Sequence, residues 1–492
     1  MNIKGNIKIK QGMIRFFGVI CLLCIIWITL ITKSISKSQM FLSIVSILVL
    51  AGLIYVFVKK NLKFYQYVFI FLVSVGLLSG FTQPIVNIPD EYVHFARAEM
   101  LSRGKLFLNP SERSYKVDQS VNELAEDLGK PYKESKLKDK KLGASLENME
   151  HVATTNLFFV YIPQAVGIIV AKIFNLNVMW SLWLARIFNL FIYALLVATV
   201  IKIISHFELI IFFISALPIS VQQAASCSPD ALINGLVIAL VGYFIVLYQQ
   251  QNISEKQIIR FVFLSLLSTC AKITNIFFAG LILLLPINKG KVKNRIIKVA
   301  TVAFVVIIGA VYYFYTTKFV VPDIQKVYLD TIGANSTLQI QNIIEEPLRW
   351  SYNFGRALIY NFGEYMKMLS VFGQLEYTYP ILSTITIFMF GKLCFQEKRY
   401  GIKNMHKCLI ALMIMGNYIF VCLALYITWT PVGSPYINGV QGRYFIPMLT
   451  MLPLLFANES ENGRKQIENT NDITIMTIMV GMLILSTIMR YY

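Results

Sequence analysis

Charged residues are scarce in this sequence. They make up 14% of its 492 residues, where a soluble domain has about 25%. Hydrophobic residues make up 56%, and the mean hydropathy is +0.62. That balance excludes a soluble fold, and the apolar content is far too high for disorder. Histidine is rarer still, at four residues, and His151, His206 and His406 form no cluster. The seven cysteines (Cys21, Cys24, Cys227, Cys270, Cys394, Cys408 and Cys422) lie almost all within apolar runs or at their ends. No pair reads as a disulfide and none has zinc spacing, so they count as small hydrophobes. The chain has no Walker A loop, no Gly-x-Ser-x-Gly elbow and no His-Glu-x-x-His helix, which argues against an ATPase, a serine hydrolase and a zincin. It shows neither a repeat nor the inverted halves of many transporters.

What is present is a series of apolar runs, many of them near the ~20 residues that an α-helix needs to cross a bilayer. They are continuous, without the alternation of a β-barrel strand. The fold class is therefore all-α, a polytopic transmembrane helical protein. Its net charge of +19 arises from 45 Lys and Arg against 26 Asp and Glu. In a soluble chain such an excess suggests nucleic acid. Here the basic residues cluster between apolar runs with no nucleic-acid motif beside them, so the positive-inside rule accounts for them.

Apolar runs near 13–32, 40–58 and 65–83 form the N-terminal membrane spans of a first region, 1–83. The first run follows Lys4, Lys8, Lys10 and Arg15 and lacks a small-residue cleavage site, so it reads as an anchor. Residues 84–183 form a first extracytoplasmic loop with interfacial helices. Central spans fall near 184–204, 207–224, 231–249, 258–271, 273–287 and 297–316. A second extracytoplasmic segment covers 317–378, and C-terminal spans near 379–395, 408–428, 444–457 and 473–489 complete the region 379–492. The sum is about 13 spans. Lys and Arg concentrate in the short loops that this assignment puts inside. An alternative makes 157–174 a span and 258–287 one long helix. It would hold Lys272 at mid-membrane, an expensive place for a charge. The first version is preferred. It breaks the run at Lys272 and lays 157–174 along the interface as an amphipathic helix.

The densest chemistry follows the third span, at Pro89-Asp90-Glu91-Tyr92-Val93-His94-Phe95-Ala96-Arg97. With Pro89 in the first turn of a helix, Asp90, His94 and Arg97 share one face and Glu91 stands beside Asp90. Such a set suits proton abstraction or metal binding. It also suits a helix start whose dipole favours acids. Four further features stand out. Ser226-Cys227-Ser228-Pro229-Asp230 reads as a capped turn or as site support. Lys272, near Thr274 and Asn275, reads as a snorkelling lysine or as a phosphate contact. Arg443, entering a span behind Gln441 and Gly442 and beside Tyr444, is either an interfacial anchor or a bidentate phosphate ligand. The stretch 350–379, with Trp350, Tyr352, Tyr360, Tyr365, Tyr377 and Tyr379, reads as an aromatic belt or as a sugar- or lipid-binding surface.

In this order the motifs resemble a known group. They are Pro89-Asp90-Glu91 with His94 and Arg97; Tyr161-Ile162-Pro163-Gln164-Ala165; Ser226 to Asp230; Lys272; Phe372-Gly373; and Gln441-Gly442-Arg443-Tyr444-Phe445-Ile446-Pro447. Together they are similar to the bacterial domain-of-unknown-function 2142 family, placed in the superfamily of GT-C integral-membrane glycosyltransferases. The resemblance implies a multi-pass protein of the cytoplasmic membrane with its active site on the extracytoplasmic side. It implies an inverting transfer of a sugar from a polyprenyl-phosphate donor to a surface polysaccharide or teichoic acid, without nucleic acid. Asp90 and Glu91 would be the catalytic pair, supported by His94, Arg97 and Asp230. Arg443, Lys272, Gln441 and Tyr444 would bind the donor phosphate. No cofactor is required by this reading. A divalent metal ion, if one takes part, would use Asp90, Glu91 and His94. The reading from another class is a lipid-linked-saccharide flippase or exporter that binds without catalysis.

Overall fold

The computed structural model describes residues 35–59, 61–108, 114–143, 145–149, 152–153, 156–287, 290–315, 331–367, 380–397, 400–458 and 470–492, with Gly18, Leu23, Cys24 and Leu329. The first expected span, 13–32, lies otherwise outside the described residues, as does His151.

Among the described residues, seven helices are long and apolar enough to cross a membrane. They are α1 (Lys37–Lys59), α2 (Phe64–Thr82), α5 (Val178–Ile203), α8 (Asp230–Tyr248), α10 (Lys291–Tyr315), α14 (Asn404–Trp429) and α15 (Thr470–Tyr491). The 19 residues of α2 or α8 extend about 28 Å at the α-helical rise, close to the hydrocarbon thickness. Between them lie α3 (Glu91–Ser102), α4 (Ile162–Ile173), α6 (Glu208–Ser215), α7 (Pro218–Ala224), α9 (Glu255–Ala271), α11 (Ser336–Glu345), α12 (Pro347–Lys367) and α13 (Pro380–Cys394).

The expected span 207–224 is not one helix. The chain breaks at Leu217 and Pro218 into α6 and α7, since proline cannot continue a helix, and both pieces are buried. The expected span 444–457 is likewise a series of short turns: Gly442–Phe445, Ile446–Leu449 and Leu452–Phe456. Pro447 and Pro453 each start a new turn.

The run after α8 reverses at Lys272, whose backbone is extended (φ −155°, ψ 119°). The start of α9 lies by the end of α8, where Gln257 Nε2 donates to Gln250 Oε1 at 2.9 Å. A 3₁₀ helix, Ile273–Leu284, then runs back. Asn417 of α14 donates to the Thr274 carbonyl at 2.6 Å, and Lys298 of α10 donates to the Leu283 carbonyl at 2.9 Å. Twelve residues of 3₁₀ helix cover about 24 Å, where an α-helix would cover about 18 Å. The segment 258–287 is therefore two antiparallel pieces, not one long helix.

The first long loop departs from an all-α fold. Strand β1 (Tyr115–Asp118) pairs antiparallel with β2 (Leu146–Met149), Tyr115 opposite Met149. Tyr115, Val117 and Met149 join Val93, Phe95, Tyr161 and Ile168 in a core separate from that of the bundle. Helix α4 folds back beside the first half of α5. Its inner face is small and buried (Ala165, Gly167, Ala171), and Ile162, Val166, Ile169 and Ile173 form an exposed apolar stripe. In the second long segment Trp350 stacks on Phe354, which meets Tyr426 of α14 edge-on, and Tyr352 and Tyr360 are exposed. Phe372, Gly373, Tyr377, Tyr379 and the Tyr365 side chain lie outside the described residues.

The α4–α5 contact depends on one glycine. A Cβ at Gly167 would stand 2.4 Å from the Leu184 carbonyl oxygen and 2.5 Å from its carbon, and backbone cannot move aside as a side chain can. Gly167→Ala should therefore destabilise the protein by about 1–3 kcal/mol, seen as a lower melting temperature in detergent. An unchanged melting temperature would show that the two helices do not meet this closely.

Candidate active site

The ends of several helices converge on one cluster of charges. Between α2 and α3 the chain turns through Val86 (φ 41°) and Asp90 (φ 64°), both in the left-handed region that non-glycine residues rarely occupy. Helix α3 starts at Glu91, so Pro89 lies ahead of its first turn and Asp90 is its N-cap. The Asp90 carbonyl accepts the His94 N–H at 3.1 Å. Its carboxylate stands off the helix, and the side chain is 53% exposed.

Arg443 reaches this carboxylate from far along the chain. It sits in the 3₁₀ turn Gly442–Phe445 and is 4% exposed. Its Nη2 donates to Asp90 Oδ2 at 2.8 Å. Its Nη1 donates to the Pro89 carbonyl at 3.3 Å and to Gln223 Oε1 at 3.2 Å. Its Nε lies 3.5 Å from Asp230 Oδ2. Asp230 is the first residue of α8 and closes the Ser226–Asp230 turn. There Ser228 N–H donates to Ser226 Oγ at 3.2 Å, and Asp230 N–H to Ser228 Oγ at 3.1 Å. Lys272, at the reversal, holds its ammonium 3.9 Å from the centre of the Tyr444 ring, a cation–π contact that steers the charge without neutralising it.

These groups line a cavity of about 370 Å³. Asp90, His94, Asp230, Lys272, Gln441, Arg443 and Tyr444 give it a polar side. Val421, Ala424, Leu425 and Trp429 of α14, with Val93, Val152, Ala153 and Ile233, give it an apolar one. The cavity is thus amphipathic in its lining, which includes two cations and two carboxylates.

Two expected site residues lie elsewhere. Arg97 is buried and turns away from the cavity. It donates to the Lys105 and Leu106 carbonyls at 3.0 and 2.7 Å and faces the Tyr161 ring. Burial pushes its pKa below the ordinary arginine value. Asp90, as the N-cap, falls off the expected common face; His94 and Arg97 still share a side and both meet Tyr161, but the Lys105 and Leu106 carbonyls draw the Arg97 guanidinium away from the cavity. Glu91 is fully buried. Its Oε1 and Oε2 accept from Arg186 Nε and Nη2 at 2.8 and 2.6 Å, and the Cys227 N–H donates to Oε1 at 3.1 Å. Glu91 is thereby kept from joining Asp90 and His94 around a metal ion. Among the described residues no group of three or more His, Cys, Asp or Glu could hold one.

Arg186 escaped the sequence reading. It lies eight residues into the apolar helix α5, and a charge there is a signal in its own right. Besides Glu91 it donates to the Gly80, Gln83 and Pro84 carbonyls at 2.9, 3.4 and 3.1 Å, fastening the α2–α3 corner. Gln164, a member of the Tyr161–Ala165 motif, and Asn189 both donate to the Ser228 carbonyl, and neither was assigned a role from the sequence. An isolated amide has no spacing signature.

The fold and its cavity define a helical membrane protein with a charged, partly apolar pocket. Residues 71–452 match the model of the family described as "Predicted membrane protein (DUF2142)", and the chain belongs to that family. No curated protein and no solved structure matches it.

Removing one partner of a buried ion pair leaves the other charge stranded, at about 3–5 kcal/mol. Arg186→Met should destabilise the protein by that amount in detergent melting. Arg186→Met with Glu91→Leu should recover most of the loss. A double variant no better than the single one would show that the carbonyl contacts, not the charge pair, carry the stability.

Proposed function

We propose that this protein is an inverting glycosyltransferase of the cytoplasmic membrane, of the GT-C type with about 13 spans, and that its cavity opens on the extracytoplasmic side. It moves a sugar from a polyprenyl-phosphate donor to a glycan acceptor such as a surface polysaccharide or teichoic acid. The observation that carries this reading is the amphipathic cavity. Arg443 stands beside the Asp90 carboxylate, Lys272 lines the same cavity, and a membrane-length helix supplies an apolar wall. An anionic headgroup on an apolar tail fits such a space, and few water-soluble substrates need the apolar half.

In this mechanism the Asp90 carboxylate takes the proton of the acceptor hydroxyl. The oxygen forms a bond to the anomeric carbon from the face opposite the phosphate. The carbon–oxygen bond to the phosphate breaks, and its electron pair leaves with the polyprenyl phosphate. Arg443 and Lys272 stabilise the negative charge that accumulates there. The Asp90–Arg443 pair fits this order of events. A phosphate beside Lys272 competes with Asp90 for the guanidinium, and a carboxylate relieved of its ion pair is the stronger base. Glu91 serves as the anchor of the corner that presents Asp90, and Asp230 holds the Nε side of Arg443.

Asp90→Asn keeps the shape and removes the base. It should fold and retain the lipid donor, with transfer slowed roughly 10²–10⁴-fold, measured as polyprenyl phosphate released from candidate lipid-phosphate sugars. Near-normal transfer would sink the carboxylate mechanism. Release by neither the variant nor the parent, together with movement of labelled lipid across vesicles, would favour the flippase reading.

Arg443→Lys should lose most donor turnover, because an ammonium cannot reproduce the forked contacts of guanidinium. Retained turnover would return Arg443 to the role of an anchor. Sidedness has its own measurement. Cysteines at positions 116 and 293 should be labelled in intact cells at the first position only, and the opposite result would invert the topology.

A further inference from the structure

Helices α2 and α5 lie side by side and fix the level of the bilayer. At one end the Lys202 ammonium stands 5.6 Å from the centre of the Tyr65 ring. At the other, Trp183 meets Phe81, Tyr132 and Trp180, with ring centres 5.6, 4.9 and 5.1 Å apart. Basic and aromatic side chains of this kind collect at the two membrane–water boundaries. Trp183 and Lys202 are separated by about 28 Å at the helical rise, close to the thickness of the hydrocarbon core. The boundary on the cavity's side therefore lies near Trp183, just before the Arg186 that holds Glu91.

Helix α4 crosses that boundary. It runs antiparallel to α5, with Gly167 packed on the Leu184 carbonyl. Further along, Gln164 donates to the same Ser228 carbonyl as Asn189 of α5. Counted from Gly167, Ile162 lies about 8 Å into the hydrocarbon and Ile173 about 9 Å out of it. Charge follows the same order. Lys172, near the outer end, donates to Glu99 Oε1 and Ser102 Oγ at 3.1 and 2.8 Å, and no charged residue precedes it in the helix.

We infer that α4 is a half-inserted helix. It stands on end in the leaflet nearest the cavity rather than lying along the interface, and the acyl chains of that leaflet are the partner of its exposed apolar stripe. Its inserted turns form a partition. On one side Ile162, 47% exposed, meets lipid. On the other, Tyr161 is buried, with its hydroxyl 2.9 Å from Nδ1 of His94, which lines the cavity. The bilayer and the pocket are therefore separated here by a single short helix. This placement goes beyond the transfer reading, and it is the same whether the pocket transfers a sugar or only binds a lipid.

Depth-dependent quenching tests it on the full chain. A fluorescent amino acid is introduced through a stop codon in place of Ile162, Val166, Ile169 or Ile173, whose side chains are exposed and so tolerate it. Each protein is reconstituted in bilayers of phosphatidylcholine and phosphatidylglycerol that carry a nitroxide at the headgroup, high on the acyl chain or near its end. Position 162 should be quenched most by chain-labelled lipid and position 173 by headgroup-labelled lipid. The depth should change steadily along the series, by about 16 Å from end to end. Two positions suffice for the slope, so a label that unfolds the protein at one site leaves three to define it. The same shallow depth at every position would return α4 to the plane of the interface and overturn the inference. Absence of quenching at every position would place the helix in water, and a depth passing the bilayer centre would make it a full span; either result would overturn it as well.

Discussion

The contact on which the rest of the site depends is the buried pair of Glu91 and Arg186. Neither is catalytic in the reading given above, and both are out of water. Two ions removed from solvent cost several kcal/mol each, and they are tolerated only with good geometry and with their remaining hydrogen-bonding groups satisfied. Here both conditions hold. The pair is bidentate, the spare guanidinium protons go to three carbonyls of the α2–α3 corner, and a spare carboxylate lone pair takes the Cys227 amide. One interaction thereby joins the end of α2, the start of α3, the body of α5 and the turn before α8. Asp90, next in the chain to Glu91, inherits its position from that knot, and its left-handed backbone is held from both sides.

The adjacent carboxylates of Asp90 and Glu91 thus divide the work by burial. One is in the dark of the protein, fully paired, and sets geometry. The other faces the cavity and meets a cation that a ligand can compete for. A helix start between them explains the division. Asp90 as N-cap projects away from the axis, and Glu91, as the first helical residue, turns toward α5.

Much of this was legible in the sequence, for physical reasons. Apolar runs near the bilayer length gave the membrane class and most long helices. The cost of a mid-membrane ammonium located the reversal at Lys272. The short motifs around Asp90, Asp230, Lys272 and Arg443 came together because each lies where a helix starts, breaks or turns. Where sequence reasoning went astray, tertiary context had overruled a local rule. Pro89 looked like a first-turn proline, but the left-handed turn at Asp90 delays the helix and takes Asp90 off its face, and the Lys105 and Leu106 carbonyls draw Arg97 out of the site. Residues 207–224 and 444–457 had the apolar content of spans, but their prolines divide them into short pieces. The little sheet of the first loop was hidden because four-residue strands carry too short an alternation to read. Arg186 was overlooked beside two louder acids, although an arginine inside an apolar helix is seldom idle.

The two partners of the Asp90–Arg443 contact are 353 residues apart in sequence. A ribosome adds residues at about 5–20 per second, so Asp90 waits tens of seconds before its arginine exists. During that interval Glu91 and Arg186, less than a hundred residues apart, can already lock the corner in place. The pocket is consequently a late product of biogenesis. A chain cut short before Gln441 would keep its first knot and lack a cavity floor, which gives cellular quality control a half-finished protein that is locally well ordered.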